Sequence, residues 1–221
     1  MMMTKRVEFD NALDELKQLL SQMGESVAQA IAESMQALET MDVVKAKSVI
    51  RTDPEINDME ERIVERGSTL IATQQPVAKD LRRILVAFKI SGDLERMADL
   101  AVDVAKVVLR MEGQELIKPL IDLPRMSELV RTMTTESIAS FLDEDVELAY
   151  KMAKDDDQVD ALYSQILREL FALMLEDPKR SPQAMLLSFV GRYLERIGDH
   201  ATNIGESVVY LVTGTRPDLN V

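Results

Sequence analysis

The sequence predicts an all-α protein of two tandem three-helix bundles, six long helices related by internal duplication. Three observations carry that reading: a composition of helix formers, apolar residues spaced for amphipathic helices, and acidic motifs that recur at a fixed displacement. Only 4% of the 221 residues are aromatic and Trp is absent, while Ala, Leu, Glu, Lys and Met abound, a mixture that favours helix over strand. An apolar fraction of 46% suffices for a proper core.

In the first element Leu13, Leu16, Leu20, Met23, Val27, Ile31 and Leu38 follow Phe9 at spacings of three and four or their sums, giving one long amphipathic helix. Residues 42–73 give a second helical stretch, with an interruption expected at Thr52-Asp53-Pro54, where Pro would restart a helix and Asp53 would cap it. Pro76 opens the third helix, which runs to about Met111 before Gly113 stops it. Residues 113–124 hold two prolines and a glycine and read as a hinge. The division is therefore a first repeat over 1–112, a linker over 113–124 and a second repeat over 125–221. In the second repeat, helices are expected from about Arg125 to Leu142, from Val146 to Leu175, and from Pro182, capped by Ser181, to Gly214.

The halves match in detail. Displaced by 103 residues, Asp42, Val43, Ala46, Asp53, Ile63 and Leu70 meet Asp145, Val146, Ala149, Asp156, Ile166 and Leu173. Further on the displacement becomes 100, and Leu94-Glu95-Arg96, Asp99 and Ala101 meet Leu194-Glu195-Arg196, Asp199 and Ala201. Shared heptads would align Leu with Leu by chance, but not Glu-Arg-x-x-Asp with itself.

Composition also excludes functions. With 39 acidic against 26 basic residues the formal charge is −13, which repels a nucleic-acid backbone or an anionic membrane surface. The absence of cysteine rules out disulfides, thiolate metal sites and cysteine nucleophiles, so any metal site must use oxygen or histidine nitrogen. Neither a signal-peptide core nor a run of about 20 apolar residues occurs, so no stable membrane insertion is expected and the chain reads as cytoplasmic. There is no Glu-x-x-His pair, no Walker-type phosphate loop and no partnered serine or histidine, and an enzyme is not expected.

Glu95, Asp99 and Asp103 stand at i, i+4 and i+8 on the third helix, and Glu195, Asp199 and Asn203 stand likewise on the sixth. Each step of four advances about 40°, so each trio forms a narrow stripe of oxygen donors able to share a cation. Phe88 and Val102 lie within about 20° of Glu95 on the wheel, whereas Ser188 and Thr202 hold those places on the sixth helix, so the first stripe is expected to be the more desolvated and, under limiting supply, the one to hold metal. A plain solvated acidic face is the alternative, since unpaired like charges at this spacing cost only a few tenths of a kcal/mol each.

Gly191, Gly198 and Gly205 recur every seven residues where the third helix has Ser91, Ala98 and Ala105. Three interior glycines forfeit about 3 kcal/mol of helix propensity, so another helix must approach closely, from within the bundle or from a partner. Arg96 and Arg196 are expected to pair with carboxylates of a neighbouring helix or to offer their guanidinium to an anion. His200, the single histidine, lies off the acidic stripe.

The stretch Tyr193-Leu-Glu-Arg-Ile-Gly-Asp-His-Ala-Thr-Asn-Ile-Gly-Glu206 resembles the signature helix of the PhoU family, and Asp93-Leu-Glu-Arg-Met-Ala-Asp-Leu-Ala-Val-Asp103 resembles its first-repeat counterpart. Asp53-Pro-Glu-Ile-Asn-Asp-Met-Glu60 and Asp156-Asp-Gln-Val-Asp-Ala-Leu162 resemble the family's second-helix pattern. The resemblance implies a cytoplasmic accessory of phosphate uptake that contacts a phosphate ABC transporter ATPase and a sensor histidine kinase and represses the phosphate-starvation response. It also implies a homodimer and a metal ion, Fe, Zn, Mg or Mn, on Glu95, Asp99, Asp103, Glu195, Asp199 and Asn203. A metal-storage or metal-buffering helical protein is the competing expectation.

Overall fold

A computed structural model describes residues 2–219. Six α-helices follow one another: α1 (Met2–Thr40), α2 (Val43–Gln74), α3 (Ala78–Arg110), α4 (Asp122–Asp143), α5 (Val146–Glu176) and α6 (Ser181–Thr213), with a 3-10 turn at Pro178–Arg180 before the last. No strand occurs among the described residues.

The duplication extends to the caps. Asp42 accepts from the backbone N–H of Lys45 at 2.9 Å to open α2. Its counterpart Asp145 accepts from Glu147 and Leu148 at 2.9 and 3.0 Å to open α5. Each carboxylate satisfies first-turn donors and complements the positive helix end.

Several boundaries differ from expectation. Helix α2 runs unbroken through Pro54, and Asp53 caps nothing. Val49 and Ile56, on either side of the proline, are 1% and 3% exposed, so core burial on both flanks outweighs the one hydrogen bond that Pro54 forfeits. Helix α4 starts at Asp122, not Arg125, because Pro124 falls in the first turn, where its missing N–H would have had no helical partner. Helix α3 starts two residues after Pro76, and Ser181 lies inside α6 without capping it.

The expected hinge is a packed strap. Leu116, Ile117 and Leu120 lie against the core. Ile117 N–H donates to Gln183 Oε1 at 2.7 Å, and Gln183 Nε2 returns a bond to the Glu115 carbonyl at 3.0 Å. Each half forms a three-helix bundle, and the bundles join along α1–α4 and α3–α6 into one continuous apolar core. Helices α3 and α6 run antiparallel: the segment after α3 meets the start of α6 at Gln183, and Gly214 at the end of α6 lies beside Arg82 near the start of α3. Helices α2 and α5 lie on the outside and do not touch, so each meets an acidic stripe from a separate side.

Candidate metal centres

Each stripe faces acidic groups on the neighbouring outer helix. Glu95, Asp99 and Asp103 of α3 look toward Asp53, Asn57 and Glu60 of α2; the charges of Asp99 and Asp103 act on Asp53, and those of Glu60 and Asp53 act on Glu95. Asn57, Glu60 and Glu95 share the wall of one cleft. In the second half, Glu195 and Asp199 of α6 face Asp156 and Asp160 of α5. Asn203 keeps its place on the α6 stripe, half-buried.

Sequence reasoning on the stripes alone left out the α2 and α5 groups. The signal was present: Asp53 and Asn57 meet Asp156 and Asp160 at the same displacement of 103 that relates the rest of these helices. That the two rows face each other across a helix pair is tertiary information.

Electrostatics follow from this crowding. Burial, then the charge of Asp99, raises the pKa of Glu95, and burial followed by the same charge raises that of Asp53. Asp156 is 8% exposed, and its burial, with Asp199, Asp160 and Glu195 around it, lifts its pKa to about 7. Burial raises Glu195 and Asp199 as well, opposed by Arg192.

The expected order of desolvation is reversed. The Glu195 side chain is 12% exposed against 25% for Glu95. The glycine stripe is the cause. A methyl group at Gly198 would lie 2.8 Å from Asp156 Oδ1, one at Gly205 3.2 Å from the Ala149 carbonyl oxygen, and one at Gly191 3.1 Å from the Tyr163 ring. The shaved face of α6 is thus filled by α5 from within the chain, and the closer approach seals the second cleft more than Ala98 and Ala105 allow in the first.

Arg96 pairs on its own helix, whereas Arg196 makes no ion pair among the described residues and acts on Asp199 only through its charge. Arg96 lies 3.4 Å from Glu95 and 3.2 Å from Asp99, not on a carboxylate of a neighbouring helix. Lys106 holds Asp103 at 2.9 Å, and Arg192 holds Glu195 Oε1. His200 points away from the cleft and bonds Asp93 through Nδ1 at 3.0 Å, linking α6 to α3 across the junction of the halves.

Both clefts hold oxygens with unmet bonds, the feature that a cation would answer. Asp53 Oδ1 and Asn57 Oδ1 in the first cleft, and Asp156 Oδ1 and Glu195 Oε2 in the second, are buried oxygens with no hydrogen-bond partner. Buried acceptors without donors are costly, and a cation is one means of satisfying carboxylate and amide oxygens. As the side chains stand, no three of His, Cys, Asp or Glu among the described residues converge tightly enough to hold an ion. Coordination would therefore require the half-exposed carboxylates to turn inward on rigid helices. All-oxygen donors suit Mg, Mn, Ca or Fe better than soft-site metals.

The fold and site define a class of all-helical protein, a duplicated three-helix bundle with an acidic cleft in each half. The PhoU domain matches the chain twice, over residues 20–108 and 123–208, and the chain belongs to the PhoU family. A phosphate-specific transport system accessory protein PhoU homolog of Clostridium acetobutylicum is 40% identical over 219 residues, 99% of this chain and 100% of that protein. A homolog of the same description from Aquifex aeolicus is 41% identical over 202 residues, 91% of each chain. The crystal structure of PhoU from Pseudomonas aeruginosa superposes with a TM-score of 0.89 at 36% identity, covering 94% of this chain and 100% of that one. The phosphate transport system regulatory protein PhoU from Streptococcus pneumoniae gives a TM-score of 0.88 at 30% identity, covering 95% and 99%.

Proposed function

We propose that this chain is a cytoplasmic regulator of phosphate uptake and phosphate-starvation signalling. It acts by protein contacts with a phosphate ABC transporter ATPase and a sensor histidine kinase, as a homodimer, and carries a metal ion in its acidic clefts. Full-length relatives described as phosphate-specific transport system accessory proteins support the pathway. The charge of −13 supports action on transcription through proteins and not by touching DNA. No described helix is long and apolar enough to cross a membrane.

The observation that carries the metal is the pair of partnerless buried oxygens, Asp156 Oδ1 on α5 and Glu195 Oε2 on α6, on carboxylates close enough for the charge of Glu195 to act on Asp156. Glu195, Asp199 and Asn203 with Asp156 and Asp160 would hold an ion in the second half, and Glu95, Asp99 and Asp103 with Asp53 in the first. A bound cation supplies charge neutralisation and a crosslink between two helices. The protein groups supply hard oxygen ligands on helices rigid enough to read a change of occupancy at the surface.

Deleting the gene should derepress phosphate-starvation genes in phosphate-rich medium, and unchanged expression would refute the regulatory reading. Elemental analysis of natively purified protein separates it from metal storage: many ions per chain favour storage, whereas one or two per chain fit two clefts. Sedimentation equilibrium checks the homodimer.

A further inference from the structure

The repeats part company at one charge beside the stripes. Lys106, one turn beyond Asp103, donates from Nζ to Asp103 Oδ1 at 2.9 Å, and its charge also acts on Asp99 and Asp53. At the displacement of 100 its counterpart is Glu206, whose carboxylate accepts from Leu219 N–H at 3.0 Å, and the counterpart of Asp103 is Asn203. Among the described residues no lysine stands on α6 in the place that Lys106 holds on α3.

All three carboxylates of the α3 stripe carry a cation from their own helix: Arg96 on Glu95 and Asp99, Lys106 on Asp103. In the second cleft Arg192 engages Oε1 of Glu195 and leaves Oε2 buried and bare. Asp199 and Asp156 take part in no ion pair among the described residues, although Asp156 is more than nine-tenths buried with a bare oxygen.

We propose that Lys106 is a tethered counter-ion of the first cleft, its ammonium holding the position beside Asp53, Asp99 and Asp103 that a divalent cation would take, so that the second cleft fills with metal first. An ion entering the first cleft must break the Lys106–Asp103 bond and push a like charge aside. An ion entering the second has no ion pair of Asp156 or Asp199 to break, meets a Glu195 held by Arg192 at Oε1 alone, and feels Arg192, His200 and Arg196 at Asp199 only through their charge. The first stripe is the more acidic by count, yet its charge is already answered. The inference rests on the metal reading above.

Binding of Mn2+ to the full chain, followed by the electron paramagnetic resonance of the free ion at low ionic strength, tests it. Asp156→Asn isolates the first cleft and Asp53→Asn the second, with thermal melting to show that each variant folds. The wild-type chain should bind in two steps, the tighter lost in Asp156→Asn and kept in Asp53→Asn. Adding Lys106→Gln to Asp156→Asn should tighten the remaining site about tenfold, equivalent to roughly 1.4 kcal/mol. The gain should shrink in added salt, as screening of a half-exposed charge requires. Adding Lys106→Gln to Asp53→Asn should change nothing. Mn2+ binding that Lys106→Gln leaves unaltered in the first cleft, or a tight step that belongs to Asp53, overturns the counter-ion role while metal binding stands. Absence of any Mn2+ binding overturns the metal reading and this inference together.

Discussion

Asp156 Oδ1 lies 2.8 Å from the point where a β-carbon on Gly198 would stand, so a carboxylate of α5 is pressed against a bare stretch of α6 backbone. The contact ties a propensity cost in one helix to a charge problem in another. Glycine admits α5, and the approach buries a carboxylate among Asp199, Asp160 and Glu195.

That burial gives the stability of the metal-free protein a definite slope with pH. With its folded-state pKa raised to about 7, Asp156 keeps a proton that the unfolded chain releases in the ordinary carboxylate range. Stability from this group is complete below the unfolded pKa and is lost as pH rises toward 7. Denaturant melts in the presence of a chelator should show that decline, and Asp156→Asn should flatten it. At pH 8 the variant should be more stable than the parent by up to about 4 kcal/mol, the scale of a rise of about three pKa units. A parent whose stability rises between pH 5 and 7 would contradict the burial of this charge.

The same slope should respond to metal. A divalent ion that binds the ionised cleft stabilises the folded state by mass action. Saturating Mn2+ should raise the melting temperature more at pH 8 than at pH 5, and Asp156→Asn should lose most of the difference. An equal increment at both pH values would place the ion elsewhere.

Glycines of one helical chain should differ in sign. Around Gly92 nothing lies within 4 Å of an added methyl, so Gly92→Ala should stabilise by about 0.5–1 kcal/mol through helix propensity. A methyl at Gly205 would sit 2.8 Å from Met152 Cε and 3.2 Å from the Ala149 carbonyl oxygen. Backbone cannot step aside as a side chain can, so Gly205→Ala should destabilise by about 1–3 kcal/mol in spite of the propensity gain. Paired denaturant melts decide both.

The halves should be energetically coupled through Asp93 and His200. Asp93 is largely buried, its Oδ2 has no partner, and its Oδ1 has only the His200 ring, at 3.0 Å. Removing either side chain leaves the other buried and under-satisfied. A double-mutant cycle of Asp93→Ala and His200→Ala at pH 6 should return a coupling of about 1 kcal/mol. Additive effects would mean that the contact contributes nothing to joining the repeats.

Much of the molecule is legible from residue types at helical spacing. Leu13 to Leu38 repeat at threes and fours and form one helix because burial of one face needs no information beyond that helix. Asp42 and Asp145 cap their helices because capping is local. Pro54 deceived for the converse reason: a local breaker sits between Val49 and Ile56, whose burial belongs to the whole bundle. The strap over residues 113–124 reads as a hinge by composition, yet Gln183, far along the chain, holds it.

The sequence by itself determined six helices in two copies, the carboxylate stripes on α3 and α6, and the absence of thiol chemistry, since periodicity and composition need no partner. Only the tertiary structure decided what each stripe faces. It set Asp53 and Asp156 opposite the stripes, turned the glycine face inward onto α5, drew His200 to Asp93, and left the second cleft the more buried. The physical reason is that desolvation depends on how closely two helices approach, and that distance is set by the side chains of both.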